Sequence, residues 1–371
     1  MNKDILVGLS GGIDSFVTAA LLKNQGFRVV GLYIRMHGKK RSTYCHETFR
    51  EDRAQEMSHK LKIPLNVVQH DEMFEERIVD EFIHQVVQNK SPDPCMSCHV
   101  EMRLRTLLHA ATELGFQQIA TGHYAQILFD TRKQIHRVHR AADRARDQSF
   151  YFFHLQQEEL ARIVTPLGNL TRSMVLKLSK ECGLELPTEE HARSTCLRTE
   201  PQFIQFIESH IPVSLRTRGV LRFLNGVIAG QHTGMHRFYI GQSDQLPLEM
   251  DKQEKEIKLF VIGFHELDKA VLIGEEEMLY HKEALLIDVC WVRPIDQLKT
   301  TLCEAQFGPR SRAYSCSIIC YENATAKIMF REPVRAMAQG QFIAFYGDDE
   351  LLGGGSIEAI SAPISPLWSR T

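Results

Sequence analysis

A glycine-rich segment near the N-terminus has the residue types that bind phosphate. Residues 10–15 read Ser-Gly-Gly-Ile-Asp-Ser, after the apolar run at 5–7 and before an amphipathic stretch. Glycine permits the positive φ at which backbone N–H groups turn inward, serine adds hydroxyl donors, and a helix N-terminus stabilises an anion. The segment predicts a phosphate-cradling loop. The alternative is an ordinary tight turn between a strand and a helix.

The loop differs from two common nucleotide-binding loops. A Walker A loop ends in lysine, and a dinucleotide-binding loop reads Gly-x-Gly-x-x-Gly, whereas residues 10–15 match neither. Asp14 would repel phosphate directly but can hold Mg²⁺ on a pyrophosphate. The loop therefore predicts a phosphate-binding site of a different type from these two.

Three cysteines supply a second kind of chemistry. Cys95 and Cys98 form a Cys-x-x-Cys pair, and Cys196 follows far downstream in a polar segment. A helix is expected at residues 100–114, so Cys98 would lie just ahead of it, where a helix dipole lowers a thiol pKa and makes the sulfur nucleophilic. The spacing of the pair also suits a metal ion or an iron–sulfur cluster.

Alternating strands and helices must position these groups. Strands are expected at residues 5–7, 29–34, 65–68 and 118–120, and helices at 17–23, 51–61, 74–87 and 100–114. Residues 156–183 favour helix, with Thr171 as an N-cap. This alternation predicts an α/β fold with a doubly wound parallel sheet and ligands at the carboxyl ends of its strands. After residue 211, glycine-punctuated β-prone runs predict smaller β-rich domains.

Composition narrows the class of protein. The 371 residues are 43% hydrophobic, enough for two or three domains. A net charge of −2 gives no global basic field, so a nucleic acid would need a local patch; the basic run at residues 137–146 is either such a patch or a solvated loop. The sequence shows neither a membrane span nor a signal peptide. We expect a cytoplasmic protein with no membrane partner, whose nine cysteines are thiols, metal ligands or redox groups.

The motifs together resemble one family. The loop at residues 10–15 resembles the pyrophosphate loop of N-type ATP pyrophosphatases. Further segments are similar to motifs of the tRNA-specific 2-thiouridylase family, namely residues 92–98, 121–125, 146–149, 194–197, 239–242, 336–341 and 352–355. The resemblance covers nearly the whole chain. It implies ATP-dependent 2-thiolation of the wobble uridine (position 34) of certain tRNAs, by adenylation of the C2 oxygen and delivery of sulfur from a sulfur-carrier protein.

The resemblance also implies roles for individual residues and domains. Cys98 would be the nucleophile and Cys196 the persulfide carrier. The implied ATP-binding residues are Gly8, Leu9, Ser10, Gly11, Gly12, Ile13, Asp14, Ser15, Ile34 and Gly122. The implied tRNA-binding residues are Asp93, Pro94, Cys95, His123, Arg146, Asp147, Gln148, Arg310 and Gln341. The implied domains are an ATP pyrophosphatase domain at 1–205, a small central β-rich domain at 206–275 and a C-terminal β-barrel-like domain at 276–371.

Several alternatives stay open. Cys95 stands where many family members have aspartate, and with Cys98 and Cys196 it can hold an iron–sulfur cluster, which would compete with a persulfide relay for the same thiols. The segments around Cys196 and Arg310 depart from the family pattern, which leaves a divergent RNA-binding paralogue as one alternative. A ligase whose adenylate is attacked by an amine would not need these cysteines. The other cysteines are expected to be functionally silent: Cys45, Cys182, Cys290, Cys303, Cys316 and Cys320.

Overall fold

The computed structural model describes residues 3–36, 48–184, 202–249, 258–294 and 299–362. In these ranges the strands are, in chain order, β1 (Asp4–Gly8), β2 (Arg28–Arg35), β3 (Leu65–Gln69), β4 (Gln118–Ala120), β5 (Ala125–Asp130), β6 (Ile135–Arg140), β7 (Ile163–Val164), β8 (Gly219–Arg222), β9 (Ile228–His232), β10 (Phe260–His265), β11 (Ala270–Gly274), β12 (Tyr280–Trp291), β13 (Thr300–Gln306), β14 (Tyr314–Tyr321), β15 (Thr325–Arg335), β16 (Phe342–Gly347) and β17 (Glu350–Ile360). The α-helices are α1 (Ile13–Asn24), α2 (Thr48–Leu61), α3 (Asp71–Phe74), α4 (Glu81–Val87), α5 (Pro94–Ser97), α6 (Thr106–Glu113), α7 (Gln157–Leu160), α8 (Arg172–Glu181) and α9 (Gln202–His210). The π-helical segments Glu75–Asp80 and Cys98–Arg105 join α3 to α4 and α5 to α6.

Five parallel strands form the central sheet, in the order β3-β2-β1-β4-β7. Residues 5–7 of β1 are fully buried, as expected for a strand covered by helices on both faces. The strand order reverses between β1 and β4, and ligands bind at the carboxyl ends of the strands at such a point. The predicted α/β fold with a doubly wound parallel sheet is confirmed.

The fifth strand shows where the sequence pattern was insufficient. Ile163 and Val164 lie in a stretch predicted to be helical, but they pair with Ile119 and Ala120 of β4. A two-residue strand has no periodicity of its own, so only its pairing defines it. The predicted N-cap Thr171 is confirmed, because its hydroxyl accepts a hydrogen bond from the first turn of α8.

The C-terminal region forms a closed barrel of six strands. They follow the order β12-β15-β14-β13-β16-β17, and β17 pairs with β12 to close the barrel. The hairpin of β5 and β6 extends this sheet, with Val138 opposite Leu351 and His139 opposite Glu350. The predicted β-rich region is thus confirmed and is hydrogen-bonded directly to the N-terminal half of the chain.

The β5–β6 hairpin explains part of the basic run at residues 137–146. Arg137 forms an ion pair with the nearly buried Glu350 of the barrel. The guanidinium of Arg140 lies 3.5 Å from the centre of the Tyr346 ring, in cation–π contact. These two arginines join the hairpin to the barrel, so they belong neither to a solvated loop nor to an open phosphate-binding patch.

A smaller sheet lies between these regions in the sequence, with the order β10-β11-β8-β9. Glu208 of α9 hydrogen-bonds His236 Nε2 at 3.2 Å and pairs with Arg237, which ties α9 to the segment after β9. No helix in the described part of the chain is long and apolar enough to cross a membrane. The domain limits at residues 205 and 275 stay predictions.

Candidate active site

The predicted phosphate loop connects β1 to α1 at the centre of the sheet. Gly11 has a φ of +74°, which glycine adopts without strain. Ser15 Oγ accepts a hydrogen bond from Ser10 N at 3.2 Å and donates one to Gly12 O at 2.9 Å, so it closes the loop. Because α1 begins directly after Gly12, the first N–H groups of this helix are available to an anion at the loop.

A cavity of about 210 Å³ lies beside this loop, at the carboxyl ends of β1, β2 and β4. Its wall includes nine of the predicted ATP and tRNA residues, namely Gly8, Leu9, Ser10, Asp14, Ser15, Ile34, Gly122, His123 and Gln148. Ile13 instead packs in the buried core, so its side chain serves the fold rather than the cavity. Most of the predicted ATP site is therefore assembled around one cavity.

Gly122 makes a very close approach to the loop. A Cβ atom at this position would lie 2.8 Å from the carbonyl carbon of Asp14 and 2.9 Å from Ser15 N. Both distances are shorter than a real Cβ contact, and both neighbours are backbone atoms that cannot rotate away. Only glycine allows the segment after β4 to touch the first turn of α1.

Asp14 is held by two side chains that the sequence did not single out. Its Oδ1 accepts a hydrogen bond from the Tyr124 hydroxyl at 2.9 Å and pairs with Arg172. Burial raises the pKa of Tyr124, and the charge of Asp14 adds to the increase, so the hydroxyl stays protonated as a donor. Arg172 offsets the negative charge that Asp14 brings to a phosphate site.

The helix that carries the cysteine pair begins earlier than predicted. It starts at Pro94, and the side chain of Asp93 accepts a hydrogen bond from Cys95 N at 2.9 Å as an N-cap. Aspartate at the N-cap and proline at the first helical position are strong start signals. The predicted place of Cys98 just ahead of the helix is therefore wrong. Cys98 lies one turn inside, and Cys95 occupies the first turn, where the helix dipole acts.

Cys98 belongs to an apolar cluster beside the cavity. Its Sγ lies 3.9 Å from Met36 Sδ, and Met36 lines the cavity. Phe206 and Ile207 of α9 belong to the same buried cluster. Cys98 is 8% exposed as a residue, and the next residue, His99, is part of the cavity wall. Cys98 is thus shielded from bulk water beside this cavity.

Two histidines on the cavity wall form a polar group with a neighbouring tyrosine. His99 Nδ1 lies 2.9 Å from His123 Nε2, and His123 Nδ1 lies 3.0 Å from Thr121 Oγ1. The His99 ring stacks on Tyr151, with 3.9 Å between ring centres. Burial lowers the pKa of both histidines, and that of His123 falls to about 3. The histidine pair is therefore neutral near pH 7, and its hydrogen bonds fix both rings.

The lowered histidine pKa values predict acid sensitivity. An unfolded histidine takes up a proton below about pH 6.5, whereas folded His123 does so only near pH 3. The unfolded state then binds more protons, so His123 makes the free energy of unfolding fall by about 1.4 kcal/mol per pH unit between pH 6 and 4. We expect His123→Gln to reduce that slope by this amount in urea unfolding series. An equal slope in both proteins would contradict the assignment.

Tyr151 marks the place where several predicted tRNA contacts meet. Burial raises its pKa, the charges of Cys95 and Asp93 add to the increase, and the guanidinium of Arg310 opposes it. Arg310 lies on the loop between β13 and β14. The barrel therefore places the charge of Arg310 within electrostatic range of Tyr151.

Gln341 supports the same region from the barrel. Its Oε1 accepts a hydrogen bond from Ala338 N at 2.9 Å and closes a turn. The carbonyl of Gln339 in this turn accepts a hydrogen bond from Ser91 N at 2.7 Å, next to the segment that leads into the cysteine helix. Gln341 thus stabilises the turn that holds Ser91. A direct contact of Gln341 with tRNA stays a prediction.

Asp147 requires a correction. It is 3% exposed, and its carboxylate accepts hydrogen bonds from Ala141 N at 2.9 Å and from the Ser149 hydroxyl at 2.9 Å. A buried carboxylate with these partners cannot reach an RNA, so its role is structural. Of its neighbours, Gln148 lines the cavity, and Arg146 is half-buried and stays a predicted tRNA contact.

We expect Asp147→Asn to lower the free energy of unfolding by about 3 kcal/mol, because the new amide group would face N–H and O–H donors in a buried site. Chemical denaturation measures this loss. Asp349→Asn is the matched control, since Asp349 pairs with Arg144 on the surface, where such pairs contribute less than about 1 kcal/mol. If the Asp147→Asn protein is as stable as the parent but binds tRNA more weakly, the result would support the predicted contact between Asp147 and tRNA instead.

Some predicted residues lie beyond the described ranges, and some described residues were not predicted. Cys196 and Cys45 lie outside the described residues. In the described ranges, no group of three His, Cys, Asp or Glu side chains could hold a metal ion. The sequence pattern missed Tyr151 and Arg103 near the cavity, and His99 was signalled only by its position after Cys98.

The fold and the cavity define an α/β protein in which a glycine-rich loop and the neighbours of a buried cysteine, Met36 and His99, line one cavity. The family model described as tRNA methyl transferase HUP domain matches residues 3–200. The model described as Aminomethyltransferase beta-barrel domain matches residues 281–357. Both matches agree with the parallel sheet and with the closed barrel.

Similar proteins narrow the class further. The tRNA-specific 2-thiouridylase MnmA of Geobacter metallireducens is 32% identical over 368 residues, which cover 96% of this chain and 97% of that protein. The tRNA-specific 2-thiouridylase MnmA 2 of Clostridium botulinum is 30% identical, covering 97% of this chain and 100% of that protein. The chain belongs to the tRNA-specific 2-thiouridylase family.

Proposed function

We propose that this chain is an ATP-dependent tRNA-uridine 2-sulfurtransferase. It adenylates the C2 oxygen of the wobble uridine at position 34 and then replaces that oxygen with sulfur. One observation carries the proposal: the phosphate loop and the neighbours of Cys98, namely Met36 and His99, line the same cavity. A nucleotide bound at the loop would place its α-phosphate near a nucleophilic sulfur, which a simple nucleotide-binding module would not need.

Adenylation provides the leaving group for this exchange. A carbonyl oxygen leaves poorly from a uracil ring, whereas AMP leaves readily. In the ATP site we assign phosphate binding to residues 8–15 and to Gly122, and adenine contact to Ile34. Asp14 would hold Mg²⁺, because this ion takes one or two carboxylates together with phosphate oxygens and water. A bound Mg²⁺ would neutralise charge on the pyrophosphate.

Sulfur transfer is assigned to two cysteines. Cys196 would carry the sulfur as a persulfide received from a sulfur-carrier protein. Cys98 then attacks the sulfur of Cys196 that is bound to carbon, forms a disulfide and releases hydrosulfide, which adds to C2 as AMP leaves. The disulfide must be reduced by an external thiol before the next turnover. A reducing compartment such as the cytoplasm supplies such thiols.

The tRNA would contact both halves of the chain. We assign the target base to the segment of Asp93, Pro94 and Cys95, since these residues lie at the start of the cysteine helix. His123, Arg146, Gln148, Arg310 and Gln341 are assigned to the surrounding tRNA. Arg310 reaches this region from the barrel, which supports binding across the predicted domains at 1–205, 206–275 and 276–371.

The proposal is tested by two measurements on the purified chain. With ATP, Mg²⁺, unmodified tRNA and a persulfide donor, we expect tRNA-dependent pyrophosphate release and 2-thiouridine in the digested tRNA by mass spectrometry. Absence of pyrophosphate would indicate a binding protein without activity. Pyrophosphate release with an amine as acceptor, unaffected by loss of both cysteines, would indicate a ligase.

An iron–sulfur cluster is the alternative route for sulfur. Cys95 and Cys98 lie three residues apart on one helix, and Cys196 would have to provide a third ligand. Anaerobically purified protein that is colourless, free of iron and fully active would support the persulfide route. A broad visible absorbance that disappears together with activity in Cys95→Ser would support the cluster.

A further inference from the structure

Two cysteines of the barrel, neither of which lines the assigned cavity, lie directly opposite each other. Cys303 of β13 pairs in register with Cys316 of β14, and their Sγ atoms are 3.5 Å apart. The sequence gave no role to either residue. Both are free thiols in the structure.

The backbone at this pair suits a covalent bond between the two sulfurs. Residues directly opposite on antiparallel strands have Cα atoms about 4.5–5.5 Å apart, and disulfides span about 4.4–6.8 Å between Cα atoms. Both side chains point to the same face, because Cys316 is buried and Leu302, which precedes Cys303, is 80% exposed on the other face. A bond therefore requires side-chain rotation without a change of strand register.

The two sulfurs differ in a way that suits stepwise oxidation. Cys303 is partly exposed, whereas Cys316 is 6% exposed. A hydrogen bond with Cys303 and burial both raise the pKa of Cys316, so this group remains a thiol. Solvent-borne oxidants therefore reach Cys303 first, with the Cys316 thiol adjacent to it.

We propose that Cys303 and Cys316 form a modification site, at which a hydroperoxide converts the two thiols into a disulfide across β13 and β14. The Cys303 thiolate attacks one peroxide oxygen, the O–O bond breaks, and the departing alkoxide or hydroxide takes up a proton. Cys303 is then a sulfenic acid. Cys316 attacks the sulfur of Cys303, the S–O bond breaks, and water leaves with the proton of Cys316. The peroxide accepts both electrons.

The disulfide would restrain a functional loop. The link between Cys303 and Cys316 closes a ring that contains the loop between β13 and β14, and Arg310 lies on this loop. Arg310 acts electrostatically on Tyr151 at the cysteine helix. Oxidation would thus fix the loop that brings this cation to the site. This consequence rests on the proposed function, whereas the disulfide itself does not.

The test is peptide mapping of the folded, fully reduced, full-length protein after brief treatment with hydrogen peroxide. Trypsin cleaves after Lys299, Arg310 and Arg312, so Cys303 and Cys316 fall in separate peptides, residues 300–310 and 313–327. After alkylation of the remaining thiols, we expect these peptides joined, with two hydrogen atoms lost. Dithiothreitol should separate them again.

Variants identify the partner, because peptide 313–327 also contains Cys320. Cys316→Ser should abolish the joined peptide, and the matched control Cys320→Ser should retain it. The link should also form in a protein with Cys98→Ser and Cys196→Ser, which excludes exchange with the assigned site. The proposal is overturned if the joined peptide persists in Cys316→Ser. It is also overturned if peroxide oxidises Cys303 or other cysteines but the two peptides are not joined. None of these readouts depends on thiolation activity.

Discussion

Replacing Cys98 with serine is expected to abolish 2-thiouridine formation while ATP chemistry continues. Loss of a nucleophile reduces the rate by at least about 1,000-fold. The phosphate loop does not include Cys98, so tRNA-dependent pyrophosphate release should persist and adenylated tRNA should accumulate. Mass spectrometry of the tRNA, run beside a pyrophosphate assay, separates the two steps. Continued pyrophosphate release also demonstrates that the variant is folded.

Cys182→Ser is the matched control for this experiment. Cys182 is a partly buried thiol at the end of α8, outside the cavity wall. We expect this variant to retain both pyrophosphate release and thiolation. Normal 2-thiouridine production by Cys98→Ser would remove Cys98 from the mechanism. Loss of both steps would mean that Cys98 shapes the nucleotide cavity instead of acting as a nucleophile.

Replacing Gly122 with alanine is expected to suppress adenylation itself. The added Cβ would lie 2.8 Å from the Asp14 carbonyl carbon and 2.9 Å from Ser15 N, so the loop must move. Displacement of a positioning element by about 1 Å lowers the rate by about 100-fold. We expect this loss in kcat/KM for ATP, measured as tRNA-dependent pyrophosphate release. Thiolation should fall in parallel, because it follows adenylation.

Gly263→Ala provides the comparison for Gly122→Ala. A Cβ at Gly263 of β10 would meet only the Leu272 side chain, with Cδ1 at 3.4 Å and Cβ at 3.9 Å, both ordinary van der Waals distances. This variant should bind ATP normally. If Gly122→Ala has an unchanged KM and kcat for ATP, the phosphate loop of this chain does not bind the nucleotide. A midpoint of thermal unfolding for each variant separates loop displacement from loss of folding.

Local sequence signals were sufficient for several elements of the α/β half of the molecule. Apolar runs such as residues 5–7 and the cap at Thr171 depend on neighbours within one or two turns, so periodicity and capping rules predicted them. The helix of the cysteine pair shows the limit of this approach. Asp93 and Pro94 carry helix-start signals that place the start of the helix at Pro94. The helix dipole therefore acts on Cys95, in the first turn, and not on Cys98.

Contacts between distant segments had no such signals. The pairing of β6 with β17, the ion pair of Arg137 with Glu350 and the burial of Asp147 each join residues far apart in the sequence. The sequence around a charged residue does not show whether its side chain faces solvent or pairs with a residue far along the chain. The structural contacts of Arg137 and Arg140 in the basic run, and the burial of Asp147, therefore follow only from packing.

Local sequence patterns were enough to predict that residues 10–15 form a loop between a strand and a helix, and that the chain has an α/β half and a β-rich half. Folding brings Gly122 against the loop, Cys98 to Met36 beside the cavity, and Cys303 opposite Cys316. The physical reason is that backbone preferences act over a few neighbouring residues. Chemistry at a site depends on distances between side chains that only the folded chain brings together.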